Sequence, residues 1–352
     1  MFFLFSQESF IIQLIRVLAA LLLSWGITFL FGRGLINILK KKKAEVPIKP
    51  ELAQEQASKA GTPSMGGISF LVGITVAALL LGDITAGYTW IPLVGMWLFG
   101  LVGFIDDYLK ITRKNSDGLK SGQKLAMQIL AAATVISLMA FCSRLQETVV
   151  TIPWNPAKSF DIGGWYRLAA MIYILYFVNA VNITDGLDGL AAGNAFPVVL
   201  MITIISVIFG YGIYGEYIQP SVAAGGMDLA IVGAAVLGAL LAFLWFNSKP
   251  AQMFMGDCGS HAIGSVLAVS ALLLKIELVV LVASGVFLVE FATSFIQIIA
   301  IRMKGRKVFP IAPLHHVYER QGISENKIVD RFRIVGYLCV VIASILFLVK
   351  YL

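Results

Sequence analysis

The sequence predicts an all-α integral membrane protein with about ten transmembrane helices. Of its 352 residues, 59% are hydrophobic and only 13% are charged, whereas soluble domains carry about 25% charged residues. Ten apolar segments reach or approach the length of about 20 residues that a bilayer span requires. The polar segments between them leave no room for a large soluble domain, so we expect a single polytopic domain over residues 1–352.

The predicted spans are separated by polar loops, such as the one that contains Pro153 and Pro156. The first apolar segment, Phe10 to Phe31, is too long for the apolar region of a signal peptide, and no small-residue cleavage site precedes Lys40. We therefore expect it to be retained as a helix. The predicted spans cover residues 10–32, 66–82, 90–108, 122–141, 166–182, 192–210, 228–246, 260–274, 277–301 and 334–352.

Lysine and arginine are distributed unevenly over the loops, and in membrane proteins their excess marks the cytoplasmic side. The loops after the first, third and ninth predicted spans, together with Lys249, hold 21 of the 27 basic residues. The opposite loops hold only Arg144, Lys158, Arg167 and Lys275. We therefore expect both termini to be periplasmic and five loops to face the cytoplasm.

Five aspartates lie at the ends of apolar segments, and the charge pattern places all five on the cytoplasmic side. They are Asp106, Asp107, Asp185, Asp188 and Asp257. A carboxylate at mid-membrane costs about 2.5–3.5 kcal/mol on insertion scales, so acids in such segments mark functional sites. Several carboxylates on one face could not all stay ionised without a cation. The pattern therefore predicts a divalent metal at the membrane surface and chemistry on a phosphate.

Asp106 and Asp107 lie at the end of the third predicted span. Adjacent helical positions point about 100° apart, so one carboxylate could bind the metal while the other acts as a base. The alternative is a solvated interfacial pair beside Lys110 and Lys114.

The segment Asn179–Gly189 carries polar side chains at three-residue steps, at Asn179, Asn182, Asp185 and Asp188. This spacing places them on one helical face, and the glycines permit close approach of a ligand to the backbone. The Asp spacing and bidentate Glu of an EF-hand are missing. A polar helix end without a ligand is the alternative.

Asp257 stands between glycines just before the eighth predicted span. A helix N-terminus suits a phosphate, and Asp257 suits the metal that accompanies it. Phe254 could stack on a base or simply pack. Cys258, between Asp257 and His261, could suggest zinc, but no second Cys-His pair supports it, and a small buried residue is favoured.

Three further segments carry weaker signals. His315 and His316 lie in the most basic loop, where imidazoles beside arginines suit a pyrophosphate and proton transfer; exposed histidines are the alternative. The segment Lys59–Gly67 is a glycine-rich loop that could hold a phosphate or merely enter the second span. On the ninth predicted span, one face carries Glu290 with Ser294 and Gln297, which predicts interhelical hydrogen bonds.

Taken together, these segments resemble the polyprenyl-phosphate N-acetylhexosamine-1-phosphate transferases, and among them the bacterial phospho-N-acetylmuramoyl-pentapeptide transferases. The resemblance covers nearly the whole chain. Its motifs occur in order as GTPSMGG (61–67), DDYLK (106–110), NAVNITDGLDGL (179–190), FNSKPAQMFMGDCGS (246–260) and PLHHVYE (313–319).

The resemblance implies Mg²⁺-dependent transfer of phospho-MurNAc-pentapeptide from UDP-MurNAc-pentapeptide to undecaprenyl phosphate, which yields lipid I and UMP. It also implies a homodimer in the bacterial cytoplasmic membrane with its active site facing the cytoplasm. No nucleic-acid partner is expected.

The resemblance also implies roles for individual residues. Asp257 would be the Mg²⁺ ligand and Asp106 and Asp107 catalytic carboxylates, while His315 and His316 would lie beside the sugar phosphate. The uridine would be held by Gly186, Leu187, Asp188 and Phe254. Other polar positions of the same cleft would be Lys59, Thr62, Lys124, Asn179, Asp185 and Asn247.

The chain departs from the family pattern at one position, because Val317 stands where a third consecutive histidine is usual. This keeps open a relative that transfers GlcNAc 1-phosphate from UDP-GlcNAc. A proton-coupled transporter is the alternative from another class. It predicts acids near the bilayer midplane and internal repeats, and the sequence shows neither clearly.

Overall fold

The fold is known from a computed structural model, which describes residues 10–45, 59, 61–85, 87–114, 117–142, 148–155, 158–212 and 220–350. Arg144 and Pro156, used above for topology, lie outside these ranges. Within them the chain is almost entirely helical. The strands β1 (Val149–Val150) and β2 (Phe160–Asp161) form one antiparallel hairpin.

Twelve helices occupy the described ranges. They are α1 (Phe10–Lys41), α2 (Gly67–Leu81), α3 (Gly87–Arg113), α4 (Ser121–Phe141), α5 (Trp165–Thr184), α6 (Leu190–Gly210), α7 (Pro220–Asn247), α8 (Gly256–Leu274), α9 (Glu277–Ala283), α10 (Gly285–Lys304), α11 (Leu314–Arg320) and α12 (Glu325–Lys350). Nine of them are long and apolar enough to cross a membrane, and α2 is apolar but shorter. These ten helices correspond to the ten predicted spans and confirm an all-helical, multi-pass membrane protein.

The ninth predicted span, residues 277–301, is wrong as one continuous helix. It consists of α9 and α10, which are separated at Ser284. A serine-glycine pair, Ser284-Gly285, lies at the break, and such pairs are common sites of sharp kinks. Hydrophobicity continues through the break, so hydropathy alone does not reveal it.

Helix α8 lies at the centre of the bundle, and nearly all of its residues are buried. It packs closely against α3 and α5. The α3 contact depends on Gly103, because a Cβ at this position would lie 2.1 Å from the backbone oxygen of Asp257. This close approach brings the carboxylates at the end of α3 against the start of α8.

Replacing Gly103 with alanine is therefore expected to separate α3 from α8. The methyl group would meet backbone atoms, which cannot rotate away, and overpacking of this kind costs about 1–3 kcal/mol. We expect a lower thermal unfolding midpoint in detergent together with reduced activity. Gly122→Ala is the matched control, since a Cβ there has nothing within 4 Å. An unchanged midpoint for Gly103→Ala would contradict the packing described here.

Candidate active site

The carboxylates of Asp106 and Asp257 are bridged by two lysine ammonium groups. Lys110 Nζ lies 2.7 Å from Asp106 Oδ2 and 3.0 Å from Asp257 Oδ2. Lys124 Nζ lies 3.5 Å and 2.7 Å from the same two oxygens. The Asp106 Oδ1 atom accepts a hydrogen bond from Leu119 N at 2.7 Å. Two aspartates that lie far apart in the sequence thus form one charged centre with two lysines.

Asp107 belongs to the same centre but faces the first turn of α8. Its Oδ2 accepts a hydrogen bond from Cys258 N at 3.1 Å, and the residue is almost fully buried. Gly256 has a positive φ of 74°, and a Cβ there would lie 2.4 Å from Asp107 Oδ2. Glycine is therefore required immediately before Asp257, both for its backbone conformation and for the space beside Asp107.

The α5 side of the centre is formed by Asn182 and Asp185. Asn182 Nδ2 donates hydrogen bonds to Asp257 Oδ1 at 2.8 Å and to Ser260 Oγ at 3.0 Å. Asp185 follows the last turn of α5. Burial, together with the carboxylates of Asp257 and Asp107, raises the pKa of the Asp185 carboxyl to about 8. A cation on this side of the centre would oppose these effects and favour the ionised form of Asp185.

The donor atoms of this centre fit a hard divalent cation. Carboxylate oxygens are the ligands that Mg²⁺ prefers, and it usually takes one or two of them and completes its shell with water and substrate phosphates. Among the described residues, no three His, Cys, Asp or Glu side chains form a ready-made ligand set. A metal at Asp257 would therefore depend on a phosphate-bearing substrate for part of its shell.

A second polar network surrounds the loop between α5 and α6. Lys59 Nζ lies 3.2 Å from Asp188 Oδ1, 2.7 Å from Glu325 Oε1 and 3.3 Å from the Gly186 carbonyl oxygen. Burial lowers the pKa of Lys59, but the carboxylates of Asp188 and Glu325 outweigh this and raise it. Lys59 is therefore charged and fixed beside the loop between α5 and α6.

Asn247 and Phe254 connect this loop to the segment between α7 and α8. Asn247 Oδ1 accepts a hydrogen bond from Gly189 N at 2.9 Å, and its Nδ2 donates to Met253 O at 3.0 Å. The Phe254 ring centroid lies 6.0 Å from Lys59 Nζ. The structure thus brings Phe254 to the Lys59 network.

The GTPSMGG loop is held against the segment around Phe254 by backbone hydrogen bonds. Phe254 N donates to Pro63 O at 2.8 Å, and Gly66 N donates to Phe254 O at 2.8 Å. Thr62 lies at the start of this loop, where its N–H donates to Lys59 O at 3.2 Å. The loop therefore does more than enter α2, because it supports both Lys59 and Phe254.

His315 and His316 lie in α11 and pair with carboxylates, which differs from the predicted setting beside arginines. Both His315 N and Nδ1 contact Glu290, at 3.1 and 3.0 Å. His316 Nδ1 contacts Glu319, and burial lowers the pKa of His316 although that carboxylate acts the other way. The interhelical hydrogen bonding predicted for this face is confirmed for Glu290. Gln297 instead bonds to the backbone of Val308 and Phe309, and Ser294 Oγ is buried without a partner among the described residues.

The second ring nitrogen of His315, Nε2, faces the loop between α5 and α6. His315 Nε2 is buried without a hydrogen-bond partner, and a Cβ at Gly186 would lie 2.3 Å from it. Only glycine leaves room for the imidazole at this position. The histidine motif and the DGLDG loop therefore meet.

Asn179 and Leu187 occupy different surroundings from the rest of their motif. Asn179 exchanges amide hydrogen bonds with Gln128, at 3.0 and 3.3 Å. The Leu187 side chain packs in an apolar cluster with Leu190 and Phe332. Any contact of Leu187 with a ligand would therefore come from its backbone.

A cavity of about 1350 Å³ opens beside the charged centre. One end is polar and carries Asp106, Lys110 and Lys124. The rest is a mostly apolar groove between α4, α5, α9 and α10. Its apolar and aromatic walls include Leu125, Ile172, Leu175, Tyr176, Leu281, Phe291, Phe295 and Ile298.

Several residues of these networks are not among the predicted site residues. From the sequence, Lys110 is a possible solvating neighbour and Asn182 a member of a motif. Gln128 and Glu325 carry no prediction. Lys110 and Asn182 lie inside recognised motifs, so their polarity near a helix end was an available signal. Glu325 begins the last helix with no motif around it.

Comparison with known proteins identifies the family of this site. The family model described as Glycosyl transferase family 4 matches residues 89–275, which include Asp106 and Asp257. The model described as Phospho-N-acetylmuramoyl-pentapeptide-transferase signature 1 matches residues 59–71, which include Lys59 and Thr62.

Curated proteins named Phospho-N-acetylmuramoyl-pentapeptide-transferase are similar to the chain over most of its length. The one from Rickettsia bellii (strain RML369-C) is 37% identical over 325 residues, which is 92% of this chain and 90% of the relative. The one from Rickettsia massiliae (strain Mtu5) is 35% identical over 319 residues, 90% of this chain and 88% of the relative. The chain belongs to the phospho-N-acetylmuramoyl-pentapeptide-transferase family.

Membership of the phospho-N-acetylmuramoyl-pentapeptide-transferase family confirms the resemblance and makes the chain a transferase enzyme. It favours the muramyl transferase over both alternatives, the GlcNAc 1-phosphate transferase and the transporter. The family name fits the site, because the phosphoryl-transfer chemistry that it implies relies on clustered charges that position and neutralise phosphates.

Proposed function

We propose that the protein transfers phospho-MurNAc-pentapeptide from UDP-MurNAc-pentapeptide to undecaprenyl phosphate, giving lipid I and UMP. The observation that carries this proposal is the lysine-bridged aspartate centre at the mouth of an apolar groove. A lipid phosphate needs both parts, charge for its head and apolar surface for its chain. The site would face the cytoplasm of a bacterium, where the positive-inside rule places Lys110 and Lys124.

The acceptor would bind with its phosphate at the polar end of the cavity. Lys110 and Lys124 supply two positive charges there. The prenyl chain would lie along the groove, on aromatic and aliphatic side chains such as Tyr176, Phe291 and Phe295. Such contacts suit a long hydrocarbon of uniform chemistry, since apolar burial is non-directional.

The donor would bind on the other side of the centre, at the second polar network. Gly186, Asp188 and Phe254 would hold the uridine, with Leu187 contributing through its backbone. Lys59, Asn247 and Thr62 support this region through the hydrogen bonds and ion pairs described above. Asp185 lies between this network and the aspartate centre, where the pyrophosphate would pass.

Catalysis would combine positioning with electrostatics, as in other phosphoryl transfers. Mg²⁺ held by Asp257 would supply charge neutralisation for the pyrophosphate. Asp106 would accept the proton of the lipid phosphate, whose oxygen attacks the phosphorus next to the sugar while the bond to the UMP oxygen breaks. Asp107 would be the second catalytic carboxylate, and His315 and His316 would be catalytic through contacts with the sugar phosphate. Asn179 and Lys124 would line the acceptor side.

Asp106 is preferred to Asp107 as the base because Asp106 lines the cavity. Asp107 instead faces the backbone of α8. The rival mechanism is a covalent phospho-sugar intermediate on an aspartate. A homodimer in the cytoplasmic membrane completes the proposal, and it rests on the family resemblance.

Donor preference tests the proposed function. Purified protein with undecaprenyl phosphate and Mg²⁺ is expected to release UMP from UDP-MurNAc-pentapeptide and not from UDP-GlcNAc, and EDTA should stop the release. Release from UDP-GlcNAc alone would assign the protein to the alternative transferase reaction. No release from either donor, with intact protein in detergent and in lipid vesicles, would refute the proposal.

A further inference from the structure

Helix α12 contacts the loop between α5 and α6 through two charged side chains on one of its faces. Glu325 and Arg333 are eight residues apart, just over two helical turns, and therefore lie on the same side of the helix. Glu325 accepts a hydrogen bond from Asp188 N at 2.8 Å. Arg333 Nη2 donates one to Gly189 O at 3.1 Å. Adjacent residues of the loop are thus held by opposite charges from one helix.

Glu325 joins three loops that are distant in the sequence. Its Oε1 lies 2.7 Å from Lys59 Nζ, in the loop before α2. Its Oε2 contacts Lys249, in the loop between α7 and α8. The residue is only 7% exposed. Without its carboxylate, two lysine ammonium groups would face one another with only Asp188 to offset them, and the Asp188 N–H would lose its acceptor.

Arg333 holds the loop from the other side. Its guanidinium fills the space above two glycines, since a Cβ at Gly189 would lie 2.8 Å from Nη2 and one at Gly193 would lie 2.3 Å from Nε. Gly189 has a positive φ of 74°, so its backbone also requires glycine. The DGLDG motif therefore ends in glycine partly because an arginine from α12 occupies the adjacent space.

An apolar cluster lies between these two charged contacts. Leu187 and Leu190 from the loop and α6 pack against Ile328, Val329 and Phe332 of α12. The loop is thus fixed by a hydrophobic contact with a polar contact at each end. The first third of α12 contacts the loop along its length.

We propose that Glu325 and Arg333 are positioning residues, which hold Lys59 and residues 186–189 in the geometry that binds the nucleotide donor. This inference rests on the proposed function for the identity of the ligand. The contacts of Glu325 and Arg333 with residues 188 and 189, called the clamp below, do not depend on that function. It gives the last helix a role in donor binding, although no motif marks this helix.

Hydrogen exchange tests the clamp without reference to activity. In the full-length protein, Glu325→Ala is expected to increase the exchange rate of the amides in residues 186–190 by about tenfold, because a hydrogen bond to a charged acceptor is lost. Lys327→Gln changes an exposed charge on the same helix and should leave that exchange unchanged. Unchanged exchange in Glu325→Ala would overturn the proposal.

Kinetics tests the link to the donor. Glu325→Gln is nearly isosteric, and Arg333→Lys keeps the charge but loses the guanidinium fork. Both variants are expected to raise the KM for UDP-MurNAc-pentapeptide about tenfold, with kcat and the KM for undecaprenyl phosphate nearly unchanged. A role confined to stability would lower the fraction of active protein and leave both KM values alone. Increased exchange with an unchanged donor KM would refute the positioning role. Inactive wild-type protein would refute the proposed function instead, and the exchange result would still decide whether the clamp exists.

Discussion

Replacing Asp257 with asparagine is expected to lower kcat about 1000-fold and to abolish the response to added Mg²⁺. Charge neutralisation by a bound metal contributes several kcal/mol to catalysis, and each 1.36 kcal/mol corresponds to a factor of ten in rate. Asparagine keeps the size of the side chain, but it removes the negative charge that faces Lys110 and Lys124. The measurement is UMP release at a series of Mg²⁺ concentrations.

Asp161→Asn is the control for this loss of a carboxylate. Asp161 is exposed in the hairpin, and its carboxylate accepts hydrogen bonds from Thr148 Oγ1 and Gly163 N, far from the aspartate centre in the sequence. Its replacement should leave Mg²⁺ dependence and rate unchanged. An Asp257→Asn enzyme that retained more than a tenth of wild-type kcat would contradict the assignment of Asp257 as the metal ligand.

Replacing Asp106 with asparagine is expected to reduce kcat by about 100- to 10,000-fold, the range that general acid–base catalysis contributes. Asparagine cannot accept the proton of the acceptor phosphate, although its oxygen can still accept the hydrogen bond from Leu119 N. The measurement is kcat with saturating undecaprenyl phosphate, because the loss of Asp106 as a partner of Lys110 also alters acceptor binding.

Asp107→Asn provides the comparison for Asp106. Its amide oxygen can keep the hydrogen bond from Cys258 N, and the residue does not line the cavity described here. We therefore expect a smaller loss of kcat than in Asp106→Asn. A larger loss in Asp107→Asn would transfer the role of base to Asp107.

The sequence predicted the helices well because hydrophobicity determines where the chain can cross a bilayer. Each predicted span overlaps a helix, but α1, α7 and α12 extend well beyond the predicted bounds. The ninth span is interrupted at Ser284, where the chain does not become polar. The Ser284-Gly285 pair permits a break at this point, and packing against neighbouring helices decides whether the helix breaks there. That information is absent from a hydropathy pattern.

The sequence predicts that Asp106, Asp107 and Asp257 lie close together, because several acids at one side of a membrane need a shared positive charge to stay ionised. Their partners were less predictable. The sequence suggests for Lys110 only the alternative role of solvating the end of α3, yet Lys110 bridges to Asp257 in α8. The α3–α8 contact that permits this depends on Gly103, whose importance is visible only once the two helices are packed.

Glu325 shows where sequence reasoning ends. It contacts Asp188, which lies 137 residues away in the sequence. A glutamate in the first turn of a helix is common, since its negative charge interacts favourably with the helix dipole. Nothing local separates that common role from a contact with three loops. Long-range pairing of this kind had to come from the fold.

Val317 acquires a simple interpretation from the neighbouring histidines. His315 is fixed by Glu290, and His316 pairs with Glu319. Both retained imidazoles thus have their own carboxylate partner within or next to the site. The arrangement of these two histidines therefore does not require a third imidazole at position 317.

Direct attack by the acceptor phosphate is the central claim of this mechanism, and a rapid-quench measurement of UMP release with the donor alone tests it. The protein, UDP-MurNAc-pentapeptide and Mg²⁺ are mixed without undecaprenyl phosphate, and the intact protein is then weighed by mass spectrometry. We expect no burst of UMP and no added mass until the lipid phosphate is supplied. A stoichiometric burst of UMP, with phospho-MurNAc-pentapeptide attached to Asp106 or Asp107, would contradict direct attack and establish the covalent route.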